Sequence, residues 1–401
     1  MAAGNSQSST PRLLFVSNVL PGSFGVGSIY LRDLLSETDP DSVAFFSSTP
    51  SLPGESFTGT VFKDSFPQIG SRLSRASGGV SDLAGMATAR LSRRSSLARL
   101  QRAILEWRPD LVVLILFDNW VITEAGEACR RAGVPTMSIV WDPPAYLCSL
   151  WNLPPLSAHA LMKSFEGALR SSKAILYPSQ AMQKLYSKEY SKPSEVGIHS
   201  PSINLQPVPF RADDGVFRIG FSGGMYTREN WSVLLETIGS TDWKVQDRPV
   251  EIVVMGSYLN LPRVTGPVRI SFLGYVDMQT QVNVLAGCDL LYLPYPFDER
   301  FKNSVKYSFP NKLGVYAAAG VPVLFHGPSN SSVLRILEKY TIGPVCTSLQ
   351  SEELKRTLDE VFNKERDVCY RSQLRRLRQD ELNLEIFQQR FVQLVTAAVN
   401  A

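Results

Sequence analysis

Residues 308–325 read SFPNKLGVYAAAGVPVLF, which joins a helix start, a helix stop and an apolar strand in one short stretch. Pro310 suits an early helical position, because the first amides of a helix have no carbonyl partner within it and proline lacks that hydrogen. Gly320 is expected to adopt the left-handed conformation that ends many helices. The apolar residues 321–325 then predict a buried strand.

The N-terminus of this helix is predicted to bind an anion. The backbone amides of Asn311, Lys312 and Leu313 would have no partner in the first turn, and the positive end of the helix dipole lies behind them. The Lys312 side chain adds a full positive charge close by. An ordinary strand–helix unit with a capped helix is the alternative interpretation.

Apolar strands alternate with helical patterns along the whole chain. We predict strands at 12–19, 42–48, 110–117, 136–141 and 173–179, and again at 217–223, 250–257, 269–274, 289–295 and 321–327. Most residues of these runs are apolar, as expected of parallel strands covered by helices on both faces. The sequence therefore predicts an α/β protein with two Rossmann-like, doubly wound parallel-sheet domains facing a cleft.

The length of 401 residues also favours two domains, because it exceeds the size that one hydrophobic core usually serves. We predict a disordered tail at 1–11, an N-terminal domain at 12–205, a C-terminal domain at 206–375 and a final helical segment at 376–401. The Pro-, Ser- and Asp-containing residues 199–216 are interpreted as the linker between the domains.

Composition narrows the class of protein. A hydrophobic content of 44% with 19% charged residues is typical of a globular protein, and a net charge of +4 argues against a nucleic-acid partner. The five cysteines include no C-x-x-C pair, which favours reduced thiols over a disulfide or zinc framework. No apolar run approaches the ~20 residues that span a bilayer. We therefore expect a cytoplasmic protein.

In each half of the chain, a glycine-containing loop follows the first strand. Gly25 and Gly27 could let the backbone approach a ligand, although a structural strand-to-helix turn is equally consistent with them. Their spacing is not G-x-G-x-x-G, and no acid follows about 20 residues later, which disfavours a dinucleotide site.

In the second loop, Gly223 and Gly224 precede Arg228, a cation at a helix start where the dipole gives it no benefit. A phosphate-binding role explains that arginine better, because its guanidinium matches phosphate oxygens.

Two stretches depart from the alternation. Residues 50–80 are rich in Pro, Gly and Ser and are predicted to form a long surface loop. Residues 72–108 contain eight arginines and far fewer acids, so a basic helix there could contact an anionic membrane or a phosphorylated acceptor. A solvated helix face is the simpler interpretation of the same charges.

Other candidate groups are interpreted as structural. The histidines at 159, 199 and 326 have no triad-like context. Asp39-Pro-Asp41 resembles a metal-binding D-x-D string but is expected to be a turn, because proline fixes the bend. No metal site is predicted.

Four stretches resemble one family in the same order along the chain. They are Ala174–Met182 (AILYPSQAM), Gly223–Arg228 (GGMYTR), Phe272–Val276 (FLGYV) with residues 285–295, and Pro310–Val323 (PNKLGVYAAAGVPV). They are similar to the donor-site motifs of GT-B glycosyltransferases, specifically the retaining family-four type. The resemblance covers roughly residues 12–365 and is strongest from 173 onwards. It also implies that the last helix returns to the first domain.

The resemblance implies a metal-independent hexosyltransferase-type enzyme of glycan biosynthesis. Such an enzyme moves a sugar from a nucleotide diphosphate sugar to a hydroxyl of a glycan, a lipid-linked or a small-molecule acceptor, with no cofactor. Arg228 and Lys312 would stabilise the departing diphosphate. Asp118 and Asp142 would orient the acceptor, although capping a loop or helix is an equally good explanation of each aspartate. The other donor-binding candidates are Gly25, Gly27, Ser222, Gly223, Gly224, Gly274, Tyr275, Tyr295, Tyr307, Pro310, Asn311 and Leu313.

The chain departs from the family pattern at three points. Tyr307 and Val315 stand where the family commonly has two glutamates, the second of which usually accepts hydrogen bonds from the donor ribose. Trp141 or Asp142 stands where members often have a histidine. A non-catalytic nucleotide-sugar-binding protein and a nucleotide-sugar epimerase or phosphorylase therefore stay open as alternatives, and an NAD-dependent oxidoreductase is disfavoured.

Overall fold

The computed structural model describes residues 10–23, 25–48, 57–64, 79–208, 214–224, 227–256, 266–267, 269–359 and 364–401, without the side chains of 79–92 and 364. The chain divides into two compact units. Unit 1 comprises Met1–Gly197 and Gln388–Ala401, and unit 2 comprises Ile198–Phe387.

Unit 1 is built on a seven-stranded parallel sheet. Its strands are β1 (Leu13–Ser17), β2 (Val43–Ser47), β3 (Thr60–Lys63), β4 (Leu111–Leu116), β5 (Thr136–Val140), β6 (Ala174–Tyr177) and β7 (Ser194–Val196). They lie in the order β3-β2-β1-β4-β5-β6-β7. The helices are α1 (Val26–Leu34), α2 (Gly79–Trp107), α3 (Gly126–Arg131), α4 (Pro144–Leu150), α5 (Pro155–Ser171) and α6 (Gln180–Ser187), with a 3-10 turn at Pro40–Ser42 and a π-helical stretch at Val121–Ala125.

Unit 2 repeats this architecture. Its strands are β8 (Phe217–Ser222), β9 (Lys244–Val245), β10 (Arg248–Met255), β11 (Arg269–Phe272), β12 (Leu290–Pro294), β13 (Val323–His326) and β14 (Val345–Cys346). The parallel order is β11-β10-β8-β12-β13-β14, with β9 antiparallel to β10. The helices are α7 (Arg228–Gly239), α8 (Met278–Ala286), α9 (Lys302–Tyr307), α10 (Lys312–Ala319), α11 (Leu334–Lys339), α12 (Ser351–Asp359) and α13 (Lys364–Asp380), and a 3-10 turn lies at Glu299–Phe301.

These sheets explain the continuous apolar runs in the sequence. Every residue of β1, β2, β4, β5 and β6 is buried, as expected when helices cover both faces of a parallel sheet. In unit 2, Trp231 of α7 packs edge-on against Phe221 and Tyr292, with ring centroids 5.1 Å apart in both pairs. The predicted fold class, two doubly wound parallel-sheet domains, is confirmed.

Four short strands, β3, β7, β9 and β14, were not predicted from the sequence. Three of them lie at sheet edges, and β9 pairs only with β10. β3 and β7 lie at the two edges of the unit 1 sheet and are only partly buried, so their residues lack the continuous apolar pattern. The prediction of one long loop over 50–80 is wrong at Thr60–Lys63, which forms β3. The rest of that stretch, apart from residues 57–59, Asp64 and the start of α2, lies outside the described residues.

The C-terminal segment, predicted as one helical segment over 376–401, is divided between the end of one helix and the whole of a second. The break falls at residues 381–383, before α14 (Leu384–Val399). The Asn383 amide nitrogen donates to the carbonyls of Arg378 and Gln379, at 2.9 and 3.2 Å, and its oxygen accepts from the Ile386 amide at 2.8 Å. One side chain therefore caps the end of α13 and the start of α14.

The final residues belong to unit 1 from Gln388 onwards. There Phe391 packs against Phe15 of β1, with ring centroids 6.2 Å apart. Among the described helices, none has the length and apolar character needed to cross a membrane.

Candidate functional site

The strand order of unit 2 reverses between β8 and β12, and these two strands separate towards their carboxyl ends. Their ladder pairs only Ile219 with Leu290 and Gly220 with Leu291. Beyond it the hydroxyl of Tyr316 accepts from the Ser222 amide at 3.1 Å and donates to the Tyr292 carbonyl at 3.0 Å. A reversal of this kind opens a crevice at the carboxyl edge of the sheet, where open α/β sheets bind ligands.

Three glycines with positive φ meet at this edge. Gly223, Gly256 and Gly274 follow β8, β10 and β11, with φ of 111°, 109° and 66°. The Gly223 amide donates to the Met255 carbonyl at 2.9 Å, and the Gly256 amide donates to the Gly274 carbonyl at 2.7 Å. A Cβ atom on Gly256 would lie 3.0 Å from the Gly223 carbonyl oxygen. The backbones therefore pack directly on one another and leave no room for side chains between Gly256 and Gly223.

Lys312 lies beside this glycine cluster. A Cβ atom on Gly223 would be 3.5 Å from both Cε and Nζ of Lys312, and Nζ lies 4.3 Å from the centroid of the Phe221 ring. Because desolvation disfavours the ammonium form, it lowers the pKa of Lys312 to about 7. The helix that begins at Pro-Asn-Lys thus brings its lysine to the loop that ends β8.

The first turn of α10 is tighter than the sequence suggested. The helix begins at Lys312, two residues after Pro310, and the Leu313 amide donates to the Pro310 carbonyl at 3.0 Å. The expectation of an unbonded Leu313 amide is therefore wrong, because a 3-10-type bond closes the turn, and the Leu313 side chain is buried. Gly320 ends the helix with φ 69° and ψ 24°, which confirms the predicted left-handed stop.

The other predicted donor-site residues of unit 2 have varied environments. Tyr275 follows Gly274 and is 72% exposed, whereas the Tyr295 ring is buried against Phe325, with centroids 5.7 Å apart. Ser222 is buried, and its hydroxyl accepts a hydrogen bond from the Gln281 side chain. Partly buried positions are occupied by Gly224, Tyr307, Pro310 and Asn311.

Arg228 is the first residue of α7 and is exposed. The next two residues bond to the β12–α9 loop and to the ends of β12 and β13. Glu229 binds two backbone amides of the β12–α9 loop. Asn230 is fully buried and donates to carbonyls at the ends of β12 and β13.

The glycine loop of unit 1 packs against an aromatic side chain. A Cβ atom on Gly27 would lie 2.8 Å from the ring of Trp141, which also contacts Tyr30 and Phe117 with centroids 5.4 and 5.5 Å away. The contact with Trp141 accounts for the glycine at position 27. Gly25 precedes α1 with φ 85°, and no neighbour lies within 4 Å of its Cβ position.

The two candidate aspartates of unit 1 differ in environment. The carboxylate of Asp118 is buried and accepts from the Trp120 amide at 2.8 Å and the Val121 amide at 3.4 Å. It therefore acts as a cap on the π-helical stretch that follows. Asp142 is only partly buried and comes two residues after β5.

Several charges singled out in the sequence have structural partners. In the arginine-rich segment, Arg99 pairs with Asp64 at 2.5 Å and Arg93 with Glu124 at 3.1 Å; the side chains of 72–92 lie outside the described residues. Asp39 caps the turn at Pro40–Ser42, where its side chain accepts from the Asp41 amide at 3.0 Å. The turn predicted for that string is confirmed.

His326 is buried and hydrogen-bonded at both ring nitrogens. Nδ1 lies 2.8 Å from the Tyr292 hydroxyl and Nε2 lies 2.7 Å from the Ser348 carbonyl. Burial lowers the pKa of the imidazole, which favours its neutral form. The structural role expected of this histidine agrees with these contacts.

Sequence reasoning missed Gly256, Glu229 and Asn230, and it quoted Tyr316 within the Pro310–Val323 motif without giving it a role. Gly256 carried a usable signal, because it ends an apolar strand as Gly223 and Gly274 do. Glu229, Asn230 and Tyr316 gave no local signal for these contacts, since their bonded partners lie 24 to 96 residues away along the chain.

No protein-family model matches the chain, and no curated protein matches its sequence. Solved structures do match it over nearly its whole length. Alr3699/HepE from Anabaena, solved in complex with UDP and glucose, is 14% identical with a TM-score of 0.64, over 97% of this chain and 100% of that one. Sucrose-phosphate synthase (tll1590) from Thermosynechococcus elongatus is 12% identical with a TM-score of 0.62, over 96% and 98%. WaaG, a glycosyltransferase involved in lipopolysaccharide biosynthesis, is 12% identical with a TM-score of 0.58, over 95% and 99%.

The chain has the GT-B fold. Both parallel sheets and nearly every residue take part in the match, so the assignment covers the two units together. At identities of 11–14% the GT-B likeness establishes the fold alone. The activity has to be inferred from the residues at the carboxyl edge of each sheet.

Proposed function

We propose that this GT-B protein transfers a sugar from a nucleotide diphosphate sugar to an acceptor hydroxyl. The observation that carries the proposal is the placement of Lys312 beside Gly223, at the strand reversal of unit 2. A cation, a helix N-terminus and closely packed glycine backbones at one point form a site suited to a diphosphate. The Anabaena neighbour was solved with UDP-glucose bound, which is the same class of ligand.

The chemistry that this site would perform is stabilisation of a leaving group. As the bond from the anomeric carbon to the diphosphate oxygen breaks, negative charge accumulates on the phosphates. Lys312 and Arg228 would balance that charge without a metal ion, and the exposed ring of Tyr275 would lie against the nucleobase. Retention of anomeric configuration is part of the proposal and is supported only by the resemblance to the family-four type.

Acceptor binding is proposed for unit 1. Asp142 is the better candidate to orient a hydroxyl, because the carboxylate of Asp118 already accepts two backbone amides. The acceptor is a glycan, a lipid-linked or a small-molecule hydroxyl. We further propose a cytoplasmic location, with contact to an anionic membrane through the basic 72–108 segment.

Val315 bears on the choice of nucleotide. It is buried in the first turns of α10, three residues after Lys312, where the family resemblance implies a ribose-binding glutamate. A valine cannot accept a hydrogen bond from a ribose hydroxyl. We propose that the site discriminates weakly between ribonucleotide and 2′-deoxyribonucleotide donors. The same substitution keeps a non-catalytic sugar-nucleotide-binding protein as the second candidate function.

A thermal-shift panel of nucleotides and nucleotide sugars tests the proposal. A donor that binds the native state raises the melting temperature, because stability increases by RT ln(1 + [L]/Kd). We expect Arg228→Ala and Lys312→Ala each to remove most of the shift. Lys355→Ala, which removes an exposed lysine of α12, is the matched control and should leave the shift unchanged.

Turnover then separates the candidate functions. Transfer, hydrolysis and epimerisation are assayed side by side with the donor that shifts the melting temperature. Binding without any turnover in the presence of a cell-extract acceptor pool would support the non-catalytic candidate. A shift that survives in both the Arg228 and Lys312 variants would show that the phosphate site is misplaced.

A further inference from the structure

The Glu229 carboxylate accepts hydrogen bonds from the loop that follows β12. One carboxylate oxygen, Oε1, accepts from the amide of Phe297 at 3.0 Å and from the amide of Asp298 at 3.1 Å. Glu229 belongs to the first turn of α7 and directly follows Arg228. Its side chain therefore connects the start of α7 to residues 68 and 69 positions further along the chain.

Asn230 makes a second connection between the same elements. It is fully buried, and its side-chain amide donates to the Tyr295 carbonyl at 3.1 Å and the His326 carbonyl at 2.9 Å. Its own backbone carbonyl lies 3.1 Å from the Tyr292 hydroxyl. The first turn of α7 is thus fastened to the ends of both β12 and β13.

These contacts lie where the sheet itself provides no connection. α7 follows the glycine loop of β8, and the loop 295–301 follows β12, so the two segments flank the strand reversal. The β8–β12 ladder ends at Gly220 and Leu291. Beyond that point the Tyr316 hydroxyl and the side chains of Glu229 and Asn230 connect the two sides of the crevice.

The negative charge of Glu229 indicates whether the residue contacts the ligand or positions the loop. A carboxylate beside a proposed phosphate-binding arginine repels a diphosphate, so the acid weakens ligand binding through its charge alone. It does accept two backbone amides that would otherwise lose their partner, which fixes the loop relative to the start of the helix. Positioning therefore explains its presence better than direct contact with the ligand does.

We propose that Glu229 and Asn230 are positioning residues of the nucleotide-sugar site. They set the distance between the glycine loop with Arg228 on one side and the loop 295–301 on the other. This inference rests on the proposed function, because it assigns the crevice to a nucleotide diphosphate sugar. Neither residue needs to touch the ligand.

The test compares Glu229→Ala with Glu229→Gln in the full chain. Hydrogen exchange measures the loop directly, and titration calorimetry with UDP-glucose and with the best donor of the panel measures affinity. In Glu229→Ala we expect faster exchange at the amides of 297 and 298 and an affinity about tenfold weaker, as the loss of hydrogen bonds to a charged group predicts. Glu229→Gln keeps an acceptor oxygen, so it should restore the protection and most of the affinity.

Glu236→Ala is the matched control, because Glu236 is an exposed acid on the same helix. It should change neither exchange of the loop nor affinity. Unchanged exchange in Glu229→Ala, or faster exchange with unchanged affinity, would overturn the positioning role alone. Failure of the wild-type chain to bind any nucleotide sugar would instead overturn the proposed function, and the positioning role with it.

Discussion

The surroundings of Lys312 differ from those of a solvent-exposed lysine. Its Nζ lies 4.3 Å from the centroid of the Phe221 ring, in a place where desolvation lowers the pKa to about 7. A bound diphosphate would favour the ammonium form and raise that pKa again. Under the proposed function, the lysine would therefore couple donor binding to proton uptake near neutral pH.

Replacement of this lysine should stabilise the empty protein at low pH. The folded-state pKa of about 7 lies below the unfolded value, so the protonated lysine destabilises the fold below pH 7. This destabilisation decreases as the pH rises from about 7 towards the unfolded pKa of about 10.4, because the folded protein then contains the neutral lysine. We expect Lys312→Met to raise the melting temperature more at pH 6 than at pH 9.

Thermal melts of the wild type and Lys312→Met across this pH range measure the effect. Lys306→Met, on an exposed lysine, is the control and should give the same difference at both pH values. Equal stabilisation by Lys312→Met at pH 6 and pH 9 would show that the lysine is not desolvated.

At the scale of elements, helix α10 is hydrogen-bonded to both strands β8 and β12 through one side chain. The Tyr316 hydroxyl occupies the position between the Ser222 amide and the Tyr292 carbonyl where a direct ladder bond would otherwise form. The helix that carries Lys312 is thereby fixed to the two strands that flank the crevice. The same tyrosine is fully buried, so no water can replace its hydroxyl without rearrangement.

Removal of the Tyr316 hydroxyl should lower the free energy of unfolding substantially. Tyr316→Phe leaves a buried amide and a buried carbonyl without their partner, and we expect a loss of about 2 to 4 kcal/mol. Tyr340→Phe is the matched substitution, because the Tyr340 hydroxyl bonds the carboxylates of Asp380 and Glu381, which are partly open to solvent. We expect a smaller loss there, because water can replace the hydroxyl as the donor to both carboxylates.

Melting temperatures of the two variants, measured in the same buffer, compare these costs. A larger loss for Tyr340→Phe than for Tyr316→Phe would contradict the bridging role. The nucleotide-induced shift should also decrease in Tyr316→Phe, since the α10 helix would no longer be held against β8.

At the scale of the whole molecule, two sheets that share the order of six parallel strands carry different groups at their carboxyl edges. Unit 2 presents a glycine cluster and a lysine, whereas the corresponding edge of unit 1 presents Trp141 packed on Gly27. Cationic and glycine-rich surroundings favour phosphate, and an aromatic ring at Gly27 fills the space that a phosphate would need. These differences favour unit 2 for the proposed donor site.

Hydrogen exchange with and without UDP-glucose tests this assignment. We expect new protection at the ends of β8, β10 and β11 and in the first turn of α10. The amides around Gly25 and Gly27 should change less. Protection concentrated in the loop after β1, with none near Gly223 or Lys312, would place the donor in unit 1.

The sequence by itself determined the fold class and the position of the helix that carries Lys312. Apolar runs with helical segments between them specify buried parallel strands, because local periodicity reports which faces are covered. The Pro-Asn-Lys start and the Gly320 stop were also readable, since both depend on the backbone preferences of single residues.

Only the tertiary structure decided which groups meet at the site. It brought Gly256 to Gly223, turned the carboxylate of Asp118 onto its own helix and joined Glu229 to the loop after β12. Apart from the Asp118 cap, these contacts join segments far apart in the chain, and they follow from the order of strands in the sheet. A local pattern cannot encode them, because hydrogen-bond partners are chosen by the spatial neighbours that folding provides.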